Sequence, residues 1–167
     1  KSEFAELNKS YRSTYEIITF AKRVQNVVSL EPVKRHGEEV ALISCKNKEE
    51  QYQNVKQAID RFLSGGNAAL GIITKTNHMA KELYGILKTE QSVNLITPES
   101  SRFRNGVSVT SIQMAKGLEF DEVVVWDADN RTYCTDFDRC LLYIACTRAM
   151  HKLTLIHTGE QTGLIRD

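Results

Sequence analysis

The sequence predicts an α/β fold, a doubly wound and mostly parallel sheet flanked by helices, and three observations point to it. Short apolar runs of strand length alternate along the chain with stretches of helical periodicity. Strands separated by helices need crossover connections, and crossovers build parallel sheets. The 167 residues, 41% hydrophobic and 26% charged, fit one domain with a full core. The whole span 1–167 therefore reads as a single unit.

Each element has a local justification. Ser13-Thr14-Tyr15-Glu16 has the form of a capping box with Ser13 as the cap, and Ile17, Phe20, Ala21 and Val24 line the apolar face that follows. Residues 40–45 read as a buried strand. Asn47 and Glu50 open a second helix with Val55, Ala58, Ile59 and Phe62 inward, and Gly65-Gly66 stops it. Residues 70–73 form a short strand. Thr76 caps a third helix carrying Met79, Leu83 and Ile86, and residues 93–96 are a further strand. The polar and basic stretch 98–105 is a loop. Residues 107–112 and 123–126 are strands, Thr135-Asp136-Phe137-Asp138 opens a helix that runs to Cys146, and residues 153–156 are the last strand. Beyond Gly159 the pattern fades, and 158–167 is expected to fray.

Composition narrows the functional classes. A net charge of +1 means that any nucleic-acid surface must be local. Of the four cysteines, Cys134, Cys140 and Cys146 recur every six residues. On a helix that step rotates by about 240°, so the thiols diverge, and reduced, idle cysteines are expected rather than a metal site. No run is long and apolar enough for a bilayer helix, and no signal-peptide pattern opens the chain, so a cytoplasmic location is expected. A motif begins within a few residues of Lys1, as in a piece of a longer polypeptide.

Ligands on open α/β sheets gather beyond the carboxyl ends of strands, and three segments are expected there. The first is Asn8-Lys9-Ser10-Tyr11-Arg12-Ser13-Thr14. Arg12 precedes a helix start, where it is either a solvated arginine or a two-pronged grip on a phosphate. The second is Thr110-Ser111-Ile112-Gln113-Met114-Ala115-Lys116-Gly117-Leu118-Glu119-Phe120-Asp121. It is either a plain polar turn or a contact for phosphate, sugar or nucleic-acid backbone. The third runs from Leu141 to Ala149. Extended at helical pitch, it puts Arg148 on the apolar face, where it either binds helix carbonyls or enters a site as an arginine finger. The pattern G-x-x-x-x-G-K-[ST] is absent from the chain. The carboxylates Asp127, Asp129, Asp136 and Asp138 read as caps and loop charges rather than a metal site. The four histidines show no ligand spacing, and Lys34-Arg35-His36 and Arg102-Phe103-Arg104 read as solvated loop charges.

In order, these segments resemble the C-terminal motor motifs of the superfamily 1 DNA helicases typified by UvrD, Rep and PcrA. Residues 8–14 resemble motif IV, N-Y-R-S. Ile73-Thr74-Lys75-Thr76-Asn77 resembles the R-T-N segment with Lys75 in place of arginine. Residues 110–120 resemble motif V, T-x-H-x-x-K-G-L-E-F, with Gln113 in place of histidine, and residues 141–149 resemble motif VI, L-x-Y-V-A-x-T-R-A. The resemblance implies a RecA-like lobe. It assigns Arg12 and Arg148 to the γ-phosphate, Glu119 to the ribose, and Lys116 and Gly117 to the nucleotide-facing turn. Lys75, Asn77, Thr110, Ser111 and Gln113 fall to the single strand.

It further implies ATP and Mg2+ in the full-length enzyme, held mainly by an N-terminal RecA-like lobe of the same polypeptide, with no cofactor expected on this piece alone. Single-stranded or tailed DNA is the implied partner. About 30 residues separate Asn77 from Val107, too few for the large inserted subdomain of UvrD and Rep. That spacing resembles the shorter helicase IV and HelD-like branch, part of which acts on RNA polymerase. A lobe that remodels RNA polymerase is therefore the alternative. A flavodoxin-type ligand domain would need a complete site within this chain, and an ATP-dependent nuclease would need a further domain.

Overall fold

In the computed structural model, which describes residues 13–26, 34–100 and 105–166, six strands form one sheet. They are β1 (Ala41–Cys45), β2 (Ala69–Thr74), β3 (Asn94–Leu95), β4 (Gly106–Ser111), β5 (Phe120–Val125) and β6 (Ala149–Thr158). The helices are α1 (Tyr15–Val24), α2 (Lys48–Ser64), α3 (Asn77–Leu87), α4 (Ile112–Ala115) and α5 (Asp136–Cys146). The strand order is β1-β6-β5-β2-β4-β3, and every neighbouring pair is parallel. The expected doubly wound α/β architecture is the one observed.

Burial explains the layers. All six residues of β2 are buried, and its sequence Ala-Leu-Gly-Ile-Ile-Thr is apolar without polar alternation, as a strand covered on both faces requires. Successive side chains still go to opposite faces. Ile73, Val123, Val125, Leu153 and Leu155 pack with α1, α4 and α5 through Ile17, Phe20, Ile112, Leu142 and Ala145. Leu70, Ile72, Val109, Val124 and Ile156 pack with α2 and α3 through Val55, Ile59, Phe62, Leu83 and Leu87.

Several local expectations change. The cap of α1 is Thr14, whose hydroxyl accepts from the Ile17 N–H; Ser13 is left for a different partner, and Glu16 instead accepts from His36 and the Gly37 N–H. β1 is an edge strand paired only with β6, so it alternates between covered and open positions instead of being buried throughout. On α3 the inward residues are Ala80, Leu83 and Leu87, while Ile86 is exposed. The tail is docked rather than frayed. Thr162 donates its N–H to the Ala128 carbonyl and its hydroxyl to the Tyr133 carbonyl, and Leu164 and Ile165 enter the core beside α1. Arg23 and Arg166 then close that face, each backbone or side chain donating to the other's carbonyl.

Candidate functional site

The first candidate region sits at the amino ends of β5 and β6. Helix α5 runs antiparallel to the strands it crosses, so its last turn returns to the end of the sheet where they begin. Arg148 follows the C-cap Thr147 and precedes β6. Its Nε donates to the Ile144 carbonyl and its Nη1 to the Leu118 carbonyl, each at 3.2 Å. Its own carbonyl accepts from the Phe120 N–H at 2.9 Å. Of the two sequence readings of this arginine, bonding to helix carbonyls is the one seen here, and it uses part of the guanidinium's donor set. Burial lowers the Arg148 pKa, opposed by the Glu119 carboxylate and the Tyr143 hydroxyl.

A second segment joins this corner from the far end of the chain. The Ser13 hydroxyl donates to the Ala149 carbonyl at 2.5 Å across a separation of 136 residues. Residues 8–12, Arg12 among them, lie outside the described residues. Beside Arg148 runs the turn 116–119, closed by the Leu118 N–H donating to the Ala115 carbonyl. Gly117 takes φ +84°, a left-handed backbone that an L side chain resists. A Cβ there would meet nothing within 4 Å, so backbone conformation, and not crowding, explains the glycine in this chain. Lys116 is exposed and Glu119 half-buried.

The second candidate region lies at the opposite end, beyond the carboxyl ends of β2 and β4. Thr76 caps α3, accepting from the Met79 N–H at 3.2 Å. Ser111 caps α4, accepting from the Met114 N–H at 3.2 Å, and its hydroxyl donates to Asn77 Oδ1. Lys75, Thr76, Asn77, Gln113, Lys116, Phe137 and Leu141 enclose a cleft of ≈ 420 Å³. A smaller hollow of ≈ 300 Å³ adjoins it through Asn77.

The expected single-strand residues divide sharply in this setting. Asn77 and Gln113 are exposed. Thr110 is fully buried and its hydroxyl donates to the Ser111 carbonyl, and Ser111 is buried as the cap of α4. Both belong to β4, and of the two it is Ser111 that bonds a cleft residue, Asn77. Lys75 Nζ bonds the Thr132 carbonyl at 2.7 Å and Asp138 Oδ1 at 2.8 Å. Asp138 is buried, and burial alone would raise its pKa. The N–H of Cys134, the Lys75 ammonium and the N–H of Thr135 outweigh it and hold the carboxyl at about 2.

One expectation of placement therefore fails. The described parts of the three segments do not share the carboxyl ends of the strands: Ser13, Glu119 and Arg148 are at the amino ends, whereas Gln113 and Lys116 of the 110–121 segment line the cleft at the other end. The reason is the return path of α5 and of the turn leading into β5. Asp127 reads from the sequence as a cap or loop charge, which leaves its backbone conformation and its partners on α2 unrevealed. It is the one described non-glycine residue with positive φ, at 59°, and its carboxylate accepts from Gln51 at 2.7 Å and pairs with Lys48. Its acidic neighbours are caps and ion pairs: Asp129 accepts from the N–H groups of Arg131 and Thr132, and Asp136 pairs with Arg139. Among the described residues no group of three or more His, Cys, Asp or Glu is placed to hold a metal ion, and no helix is long and apolar enough to cross a membrane.

The fold and the two regions define a doubly wound α/β lobe whose sequence lacks a phosphate-binding loop of its own. Residues 106–156, from β4 through most of β6, match the family model of the UvrD-like helicase C-terminal domain. The structure is similar, with a TM-score of 0.80 and 33% identity, to the C-terminal domain of a possible DNA helicase from Lactobacillus plantarum WCFS1. That similarity covers 93% of this chain and 91% of that one. No curated protein matches the sequence. The chain belongs to the UvrD-like helicase C-terminal domain family and is thus a domain of a kind of ATP-dependent enzyme.

Proposed function

We propose that this chain is the C-terminal motor lobe of an ATP-dependent DNA helicase or translocase, meeting an N-terminal RecA-like lobe of the same polypeptide across a cleft. The observation that carries the reading is the bond from Ser13 to Ala149, which ties the segment containing Arg12 to the residue after Arg148. Ser13, at the start of the described chain, is thereby attached to the corner of Arg148, with Glu119 beside that arginine.

That corner fits one edge of a nucleotide and not the whole of it. It offers a guanidinium, a carboxylate and a glycine turn, but the sequence has no lysine-bearing phosphate loop. ATP and Mg2+ would be held mainly by the other lobe, and hydrolysis supplies the free energy. On this lobe, Arg12 and Arg148 present positive charge to the triphosphate and Glu119 accepts from sugar hydroxyls, while Lys116 and Gly117 shape the turn. The hydrogen bonds of Arg148 go to neutral carbonyls at 3.2 Å, which offer less than the paired, doubly ionic bonds that a phosphate would accept. Asn77 and Gln113 contact a single strand in the 420 Å³ cleft, and Lys75, Thr110 and Ser111 support them. Helix α4 is only four residues long and joins Gln113 to Lys116–Glu119, so movement at the nucleotide corner is passed to the strand cleft.

The test is ATP turnover and displacement of a tailed duplex by the full-length polypeptide. Arg148→Ala is expected to lower kcat for ATP by about 10³-fold, with little change in single-strand affinity. Near-normal turnover would remove the finger assignment. A second reading, a lobe that remodels RNA polymerase, is favoured by the connection between β3 and β4. Residues 96–105 leave no room for an inserted subdomain. Co-purification with RNA polymerase and turnover without strand displacement would select it.

A further inference from the structure

Phe137 is a large apolar side chain that the fold does not use. It is 71% exposed and belongs to neither core cluster. It occupies the first turn of α5, where the helix dipole favours aspartate or glutamate, as at its neighbours Asp136 and Asp138. The ring packs into neither core cluster of the described residues, which leaves its face available to a ligand.

Its surroundings say which kind. Phe137 lines the same cleft as Asn77, Gln113 and Lys116, and Leu141, one turn further along α5, lines it as well. An apolar wall thus faces two amides and an ammonium. The carboxylates that flank the ring are both compensated: Asp136 pairs with Arg139 at 2.5 Å and Asp138 with Lys75 at 2.8 Å. A polyanion approaching the ring meets no uncompensated charge from either. The turn beneath it is held by a reciprocal cap. The Thr135 hydroxyl accepts from the Asp138 N–H, and the Asp138 carboxylate from the Thr135 N–H.

We propose that Phe137 is a base-stacking platform for the single strand of DNA in this cleft, with the strand's phosphates on the side of Lys116 and Gln113 and its base edges toward Asn77. The inference rests on the strand-cleft reading above. A stacked base accepts any π face, so the contact supports translocation along arbitrary sequence. A docking face for a folded protein would need a wider apolar surface than one ring and Leu141.

The experiment compares binding of a fluorescent oligothymidylate and an abasic oligomer of equal length by the full-length polypeptide. Phe137→Ala should weaken oligothymidylate about 5- to 100-fold and leave the abasic oligomer unchanged. Phe137→Trp should keep the preference for bases. Gln113→Ala should weaken both oligomers alike. If Gln113→Ala acts as expected but Phe137→Ala leaves the base preference intact, stacking is overturned while the cleft survives. If neither substitution alters either affinity, the cleft and the stacking platform fall together.

Discussion

Lys75 at the end of β2 and Asp138 in the first turn of α5 form an ion pair at 2.8 Å that bridges the strand cleft from below. The lysine also donates to the Thr132 carbonyl, so it joins α5 and the loop after β5 to the central strand. Lys75→Met should therefore lower stability by about 1–3 kcal/mol in urea unfolding, because it leaves a buried carboxylate short of a partner. In a double-mutant cycle with Asp138→Asn the two losses should not add. Additive losses would mean that the pair contributes nothing of its own.

The same pair sets an acid limit. The folded-state pKa of Asp138 is depressed from an ordinary 3.8 to about 2. A depressed carboxyl contributes stability that is complete above its unfolded pKa and is lost as pH falls through the folded value. The expected window runs from about pH 4 down to about pH 2, over which roughly 2 kcal/mol disappears. Asp138→Asn should flatten that part of the stability–pH curve. An unchanged curve in the variant would assign the acid sensitivity to other carboxylates.

Local rules read most elements and failed at tertiary relationships. Asn47, Thr76 and Thr135 were legible as caps because an N-cap needs only its own side chain and an N–H two or three residues on. Lys75 was not legible as a structural lysine, since its partner lies more than sixty positions away in a helix whose orientation no periodicity encodes. The same holds for Arg148. The helical pitch that put it inward stops at Cys146, and the chain's return to the amino ends decides what it meets. Thr110 fell to the single strand through the motif V resemblance, which carries no information on burial; its hydroxyl donates to the next carbonyl and so is buried at little cost.

Gly71 carries a prediction that sequence gave no hint of. An added Cβ would lie 2.7 Å from the Phe120 ring, at the heart of the face covered by α1 and α5. The ring is itself fully buried and has no open direction. Gly71→Ala should destabilise by about 1–3 kcal/mol through overpacking. A Phe120→Leu change in the same chain should recover part of the loss, since it removes the obstructing ring atoms. A cost that Phe120→Leu does not relieve would mean that the Phe120 ring is not the obstruction.

Ser13→Ala separates the structural and mechanistic roles of the nucleotide corner. Ser13 is 3% exposed, and its hydroxyl donates to the Ala149 carbonyl. Removing it leaves that buried carbonyl one bond short, a loss of about 1–3 kcal/mol that denaturant unfolding would read. Helix α1 should survive, because its cap is Thr14 and Ile17, Phe20, Ala21 and Val24 stay packed. In the full-length polypeptide the substitution also loosens the link between the segments bearing Arg12 and Arg148. If both arginines serve the triphosphate, kcat for ATP should fall while single-strand affinity at the far end of α4 stays near normal. Ser13→Thr keeps a hydroxyl and should restore part of the turnover. Full turnover in Ser13→Ala alongside the expected loss of stability would show that the bond holds the fold together and does not position the arginines.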